Sequence, residues 1–126
     1  MKTGEMILLY NLSGTEKGKK IKKVLIPLGI TIREIKKEQY LQPIGALAGI
    51  KGYEKTEEAY LGEGFLEEMI VMNHFSSQRL DFVLKSFRKA GIERIHLKAI
   101  VTPTNVSWNS LELYREIKRE HESMNS

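Results

Sequence analysis

The chain has no cysteine, only three prolines among its 126 residues, and no apolar run near the roughly 20 residues that a membrane-spanning helix requires. Without cysteine it has no disulfides, thiolate zinc sites, iron–sulfur clusters or cysteine nucleophiles. Its length predicts one domain, residues 1–126, with a core large enough to fold without such cross-links. The first apolar stretch ends by Asn11, too early for a signal-peptide core, so we expect a cytoplasmic location and no membrane partner.

Charge is distributed unevenly along the chain. The net charge is +5 over residues 1–50, −4 over 51–75 and +3 over 76–126. Five lysines cluster between Lys17 and Lys23, and such a cluster can bind phosphate or nucleic acid. They fall on the polar face of a predicted helix, without the arginines or aromatics that read bases. We therefore interpret them as a solvated face and do not expect a nucleic-acid partner.

The first half of the chain predicts a strand, a helix and a second strand. Residues 5–11 (EMILLYN) form a continuous apolar run typical of a central strand. Ser13 and Glu16 have the spacing of a capping box, which predicts a helix behind them. This helix ends at Gly29, and residues 31–36 predict a more polar edge strand. The helix buries one apolar stripe: Ile21, Val24, Leu25 and Leu28.

The second half predicts the same succession of elements. Residues 69–75 (MIVMNHF) are apolar like the first strand, and Ser76 is a candidate cap for a helix that ends at Gly91. Residues 94–101 predict a fourth strand with one drier and one wetter face. A second capping box, Asn109–Glu112, opens the last helix. The wetter face of the fourth strand carries His96, Lys98 and Ile100.

The two halves of the chain repeat each other. Residues 7–13 correspond to residues 70–76 at an offset of 63. Units of about residues 5–50 and 68–122 therefore each contain a strand, a capped helix and a second strand, and both units fit around one sheet. The segment between them, residues 51–67, is acidic, glycine-spaced and aperiodic, which predicts a mobile loop.

The expected fold class is α/β, with a mainly parallel four-stranded sheet in the order 2-1-3-4 and helices on both faces. In this doubly wound arrangement all strands are parallel. The alternative is a ferredoxin-like α+β sheet, in which the first and third strands are antiparallel and both crossover helices cover one face. We favour the doubly wound sheet, because residues 42–49 and the helix after Trp108 would cover the second face.

In a parallel sheet, ligands bind beyond the carboxyl ends of the strands, where the strand order reverses. Here that place lies between the first and third strands, where two helix N-termini would meet and favour an anion. The alternative interpretation is structural: the same polar residues are typical of helix caps and of turns that follow strands. The candidate ligand-binding residues are Asn11, Ser13, Gly14, Asn73, His74 and Ser76, with Lys98 and Asn105 beside them.

His74 is the candidate catalytic residue, because it follows a buried run and would lie where a general base is needed. Lys98 or Asn105 would then stabilise developing negative charge. The sequence offers no nucleophile or orienting carboxylate beside His74, so a hydrogen-bonded structural histidine is the preferred interpretation. The three histidines lack metal-ligand spacing, and residues 14–20 fail the phosphate-loop pattern, so we expect no metal and no cofactor.

Several strings of the sequence are characteristic when taken together: ILLYNL, LGITIR, QPIGALAG, EEMIVMNHF, LDFVLKSFRKAGI and RIHLKAIVTPTNVSWNSLELYREIKREHE. With them the chain resembles a family of small uncharacterised proteins from Firmicutes and related anaerobic bacteria, which carries only a domain-of-unknown-function label. The resemblance is strongest over residues 68–122, weaker over 5–50 and absent from 51–67. It implies a bacterial cytoplasmic protein, and it transfers no activity and no catalytic residue.

The sequence thus favours a small non-catalytic regulatory or binding module that holds a small anionic ligand or a protein partner at the strand ends. The alternative is a small enzyme with His74 as its general base. A homodimer would form through the polar edge strands or the last helix, and no heptad pattern specifies it.

Overall fold

Four strands and four helices make up the described part of the chain, residues 3–124 of a computed structural model. The strands are β1 (Met6–Tyr10), β2 (Thr31–Ile35), β3 (Met69–Asn73) and β4 (Leu97–Ile100). The helices are α1 (Glu16–Leu25), α2 (Ile44–Leu47), α3 (Ser77–Lys89) and α4 (Ser110–Met124). Short 3₁₀ turns lie at Ile26–Leu28, after α1, and at Lys37–Gln39, after β2. Every predicted strand is present; the first three are one or two residues shorter than expected, and β4 has half the predicted length.

The strands form one sheet in the predicted order β2-β1-β3-β4. β1 is parallel to β2 and β3 is parallel to β4, so the sheet is mixed and mainly parallel, as expected for this α/β fold. The central pair is antiparallel, with Met6 opposite Asn73 and Tyr10 opposite Met69. The expectation that all strands are parallel is therefore wrong at β1 and β3. Each strand–helix–strand unit determines its own parallel pair, whereas the long connection between the units lets β3 enter the sheet in either direction.

Helices cover both faces of the sheet, as predicted. Ile7 and Leu9 of β1 pack in one core layer with residues of α1 and α3. Leu8 and Tyr10, which point the other way, pack in a second layer with residues of α2 and α4. Both crossover helices thus lie on one face, as the ferredoxin-like alternative expected. An approximate two-fold rotation perpendicular to the sheet relates the two units, because it reverses the strands and leaves both helices on the same face.

The turns after the first strand and after the helix are alike in the two units. Asn11 follows β1 and His74 follows β3, and both have left-handed backbone (φ 62° and 69°). Gly29 and Gly91 end the helical segments, also with positive φ (76° and 75°). The units therefore share turn geometry as well as element order.

The cap of α1 differs from the prediction. Thr15, not Ser13, caps the helix, because its Oγ1 accepts a hydrogen bond from the backbone N–H of Gly18 (2.9 Å). Thr15 also donates from its hydroxyl to the carbonyl oxygen of Leu12 (2.7 Å), so a turn precedes the helix. The predicted capping box of Ser13 and Glu16 is wrong, because this turn places the helix start two residues further along the chain.

The caps of α3 and α4 are as predicted. Ser76 Oγ accepts a hydrogen bond from the backbone N–H of Arg79 (3.1 Å). Asn109 and Glu112 exchange hydrogen bonds between their side chains and backbone amides (3.0 and 2.9 Å), which forms the second capping box. These bonds satisfy helix amides that lack partners within the helix, and so determine where α3 and α4 begin.

The connection between β4 and α4 is tied to the chain around α2. Ile44 donates its backbone N–H to the carbonyl oxygen of Trp108 (2.7 Å), and Gly45 donates to that of Val106 (2.8 Å). A side chain at Gly45 would collide with Val106, since an added Cβ would lie 2.9 Å from its Cγ2. The β4–α4 connection is therefore held in place beside the second face of the sheet.

Gly18 provides a test of the packing at the start of α1, because an added Cβ would lie 2.1 Å from the carbonyl oxygen of Leu12. Alanine ordinarily stabilises a helix relative to glycine by roughly 0.5–1 kcal/mol. We expect Gly18→Ala to lower the free energy of unfolding by about 1–3 kcal/mol, because backbone must move to relieve the collision. Urea unfolding measures this change. Lys20→Ala, at an exposed position of the same helix, should change it by less than about 0.5 kcal/mol. A Gly18→Ala variant as stable as the wild type would contradict this packing.

Candidate functional site

The antiparallel central pair separates the predicted site residues. Residues 11–14 follow β1 at one end of the sheet, whereas Asn73 ends β3 and residues 74–76 follow it at the opposite end. The prediction that they line one crevice with two helix N-termini is wrong, because it required β1 and β3 to be parallel. Asn105 belongs with the second group, because it follows β4, which is parallel to β3, whereas Lys98 lies opposite Ile70 near the start of β3. The separated groups are Asn11, Ser13 and Gly14 at one end, and Asn73, His74 and Ser76 at the other.

The residues after β1 use their polar atoms within the protein. The side-chain amide of Asn11 donates to the carbonyl oxygens of Phe65 (2.9 Å) and Glu67 (2.8 Å). The Ser13 hydroxyl donates to a carboxylate oxygen of Glu34 (3.1 Å). This end of the sheet therefore anchors the segment that leads into β3.

Residues 51–67 contain no helix or strand, in agreement with their aperiodic sequence. Contacts attach the segment to the domain at several points. Gln42 and Thr56 exchange two hydrogen bonds (2.7 and 2.6 Å) between side-chain amide and backbone. The Phe65 ring is buried and stacks on Tyr114, with centroids 4.0 Å apart. Mobility of the exposed stretches between these attachments stays a prediction.

Glu67 joins the end of this segment to α4. The Tyr114 hydroxyl donates to one carboxylate oxygen of Glu67, and Lys118 Nζ lies 2.9 Å from the other. The hydrogen bond from Tyr114 holds the pKa of the Glu67 carboxyl below its usual value; burial opposes this shift, and the hydrogen bond and charge of Lys118 add to it. Burial, and then the bond to Glu67, raise the pKa of Tyr114.

Acid should weaken the attachment through Glu67. Because the folded-state pKa is lowered, the stabilisation is present above the ordinary pKa and is lost as the pH falls through the lowered one. We expect Glu67→Gln to cost at most about 1 kcal/mol at neutral pH, since the carboxylate is half-exposed. We also expect it to reduce the loss of stability between about pH 5 and pH 3.

Denaturant unfolding at these pH values measures the effect. Glu63→Gln, at an exposed position of the same segment, is the control and should keep the wild-type pH dependence. The same pH dependence in the wild type and in Glu67→Gln would show that the attachment contributes nothing.

His74 lies at the other end of the sheet and is exposed. Among residues 3–124, no hydrogen bond or ion pair joins its imidazole to another side chain. Glu5, the carboxylate that precedes β1 at this end, is buried and paired with Arg79, whose Nε donates to both oxygens (3.1 and 3.0 Å). Ser76 acts as a helix cap. The structure therefore gives His74 no orienting carboxylate, and its role as a general base stays a prediction.

Ion pairs neutralise part of the lysine cluster on α1. Each pair joins a lysine to a carboxylate on a neighbouring element or one turn away, so the positive potential of this surface is lower than the sequence alone indicates. The hydrogen bond from Lys22 lowers the pKa of Glu34. The pairs are Lys17 with Glu68 (2.6 Å), Lys19 with Glu16 (3.3 Å) and Lys22 with Glu34.

No three histidine, aspartate or glutamate side chains among residues 3–124 lie close enough together to hold a metal ion. No helix in the same range has the length and apolar character needed to cross a membrane.

β4 is an edge strand whose outer side carries unpaired backbone groups. In a parallel pair, successive residues alternate between bonding to the neighbouring strand and pointing away from it. Val101 donates its N–H to Met72 of β3 (2.9 Å), so the backbone groups of Lys98 and Ile100 point outward. The Asn105 side chain donates to the carbonyl oxygen of Ile100 (3.0 Å). Among residues 3–124, both backbone groups of Lys98 and the N–H of Ile100 have no partner and remain available for one.

Asn105 shapes this edge from within the protein. It is buried, its side-chain oxygen accepts from the backbone N–H of Thr102 (2.9 Å), and its own N–H donates to the Thr102 hydroxyl (3.1 Å). With the bond to Ile100, its side chain uses both polar groups within the turn. Asn105, a predicted ligand-binding residue, therefore ends the strand and holds the turn after it.

Two depressions flank the outer edge of β4, and together with that edge we call them the β4 cleft. The larger, about 610 Å³, extends around the carboxyl end of β4 from α3 to α4. The smaller, about 470 Å³, lies between β4 and α3. Leu84 and Lys98 line both. The larger depression is also lined by Ile100, Trp108, Leu113, Glu116, Ile117 and Glu120, and the smaller by Asp81, Lys85, Arg88, Glu93 and Arg94.

The Lys98 side chain lies at the centre of the β4 cleft. Its Nζ donates to the carbonyl oxygen of Ile95 (2.5 Å), so the lysine side chain folds back along the strand towards its amino end. Burial lowers the pKa of Lys98, and the nearby charge of Arg94 lowers it further. Lys98 is therefore a partly desolvated cation with a neutral partner.

The β4 cleft lies wholly within the second half of the chain. A family model matches this same half. Residues 68–124 match the family model Domain of unknown function (DUF3783). The DUF3783 segment spans β3, α3, β4 and α4, so it contains every residue that lines the two depressions. The predicted resemblance to a family of unknown function is thereby confirmed, whereas bacterial origin and cytoplasmic location stay predictions. No curated protein and no solved structure matches the chain.

Lys98 and Asn105 of the β4 cleft were predicted from the sequence, whereas its apolar part was not. Ile100 is 39% exposed on an edge strand, and Leu84 is only half-buried on α3. The sequence did contain evidence for an exposed Ile100, because this isoleucine shares the wetter face of the predicted fourth strand with His96 and Lys98. For Leu84 it contained no such evidence, since its place in the apolar stripe of α3 predicts a core residue.

Proposed function

We propose that this domain is a binding module that takes up an extended segment of a partner protein as an additional strand beside β4. The observation that carries the proposal is the outward-facing backbone at Lys98 and Ile100, set between two depressions. In strand addition, main-chain hydrogen bonds supply affinity, and alternate side chains enter pockets on the two sides of the sheet. The β4 cleft offers both features.

The dimensions of the cleft fit a short segment. β4 has four residues, so a partner strand of about five residues, or about 17 Å, would cover it. On the α3 side, Leu84 and the exposed Ile100 offer apolar contacts. On the α4 side, the partly exposed Trp108 offers another, next to the buried Leu113 and Ile117 that also line the larger depression. Burial of partner side chains against them would add to the backbone hydrogen bonds.

A small anion fits the larger depression less well than a strand does. Lys98 contributes one positive charge there, whereas Glu116 and Glu120 contribute two negative ones. The amide of Asn105, which would have bound the anion, is used by the turn. A peptide strand makes its main bonds through the backbone, so it does not need a net positive site. We therefore favour a protein partner over a small anionic ligand.

Selection of random peptides of about seven residues, displayed on phage, against the purified domain would supply probes. We expect a selected peptide to slow hydrogen exchange of the Lys98 and Ile100 amides, because both become bonded to the added strand. Exchange at the β2 edge should stay unchanged. Peptides that protect no amide of β4 would overturn the proposal.

A proline at Ile100 tests the same edge by substitution. Ile100→Pro removes an outward N–H and leaves the bonds between β4 and β3 in place, so we expect it to weaken peptide binding by about tenfold. Ile32→Pro is the matched control, because Thr31 donates inward to Glu5 (2.9 Å) and the N–H of Ile32 therefore points outward from the β2 edge. It should bind peptides like the wild type. Thermal melting checks that both variants fold, and equal affinity of Ile100→Pro and the wild type would contradict strand addition at β4.

A further inference from the structure

The depression on the α3 side of β4 is positively charged. Four cationic and two anionic side chains line it, so an acidic partner side chain would be attracted there and a basic one repelled. The cations are Lys85, Arg88, Arg94 and Lys98, and the anions are Asp81 and Glu93. Among these residues, only Lys98 belongs to β4 itself, where a side chain on an added strand would lie directly opposite it.

Lys98 has an incomplete set of partners. It is half-buried, and its Nζ bonds to the carbonyl oxygen of Ile95 (2.5 Å) instead of to a carboxylate. An added strand would remove more water from this ammonium group. A strand with an uncharged or basic residue opposite Lys98 would leave that loss without compensation, whereas a carboxylate would compensate it with a charge-assisted hydrogen bond.

We infer that Lys98 makes the β4 cleft selective for a partner strand that carries an aspartate or glutamate opposite it, on the α3 side of the sheet. The inference rests on the proposed function and names the chemistry of its partner. Lys98 is then a specificity-determining residue. The partner segment alternates this acidic residue with apolar residues that enter the α4 side, where Trp108, Leu113 and Ile117 lie.

β4 of a second copy does not have this chemistry. Its sequence, LKAI, contains no acidic residue. In the described chain, Lys98 is the β4 residue whose two outward-pointing backbone groups both lack a partner, so antiparallel pairing of two copies would centre on it. That arrangement would place two Lys98 residues opposite each other with their Cα atoms about 5.5 Å apart. Like charges in directly opposite positions destabilise a strand pair. The occupant is therefore a segment of different sequence.

A charge exchange between the domain and the peptide tests the inference. We expect the selected peptides that protect the β4 amides to share an aspartate or glutamate at one position. Replacing this residue with lysine should weaken binding to the wild type by about tenfold or more. Lys98→Glu should reverse the order, so that the lysine peptide binds more tightly than the acidic one.

Lys89→Glu provides the matched control. Lys89 is exposed at the end of α3 and does not line either depression, so its replacement changes the net charge of the domain by the same amount. It should keep the wild-type preference for the acidic peptide. If Lys98→Glu and Lys89→Glu alter the preference equally, the selectivity comes from overall charge and the inference is wrong.

The outcomes also separate this inference from the proposed function. If peptides protect the β4 amides without a shared acidic position, strand addition stands and the role of Lys98 is wrong. If no selected peptide protects these amides, both fail. Hydrogen exchange on the wild type makes this distinction without any variant, so a destabilised Lys98→Glu protein would not prevent the test.

Discussion

The antiparallel pairing of β1 and β3 is the interaction on which the rest of the structure depends. Both strands are buried almost throughout, so each must be covered on both faces. α1 and α3 cover one face and α2 and α4 cover the other. Each unit adds its second strand on the outside, which makes β2 and β4 the two edges of the sheet. The β4 cleft exists because, in the described chain, no strand pairs with the outer side of β4.

The direction of β3 also determines where residues 51–67 lie. Since β3 runs opposite to β1, it begins beside the end of β1. The segment that enters β3 therefore reaches Asn11, which holds its backbone, and α1, where Lys17 pairs with Glu68 (2.6 Å). Glu68, the residue after this segment, is thus placed next to Lys17 of the basic cluster.

Local features of the sequence were sufficient to predict the elements, their order in the sheet and two of the three helix caps that the structure tests. Apolar periodicity and capping residues act over a few positions, and each strand–helix–strand unit closes by a short crossover. The direction of β3 was not predictable in this way. Residues 69–72 (MIVM) are apolar on both faces, so their pattern fits a strand that runs parallel or antiparallel to β1. The predicted grouping of the site residues was wrong for the same reason. Lys98 and Asn105 were found from their position at β4, whereas their grouping with Asn11 and Ser13 depended on the strand direction.

The arrangement of α1 and α3 has an electrostatic consequence for the domain. Each helix runs opposite to its own strands, and β1 and β3 are antiparallel, so the two helices lie on one face in opposite directions. Their macrodipoles therefore point opposite ways and largely cancel at a distance. In four parallel strands the same dipoles would add and concentrate positive potential at one end of the sheet. Here neither end of that helix layer has such a field, and the charge that a partner encounters is set by individual side chains.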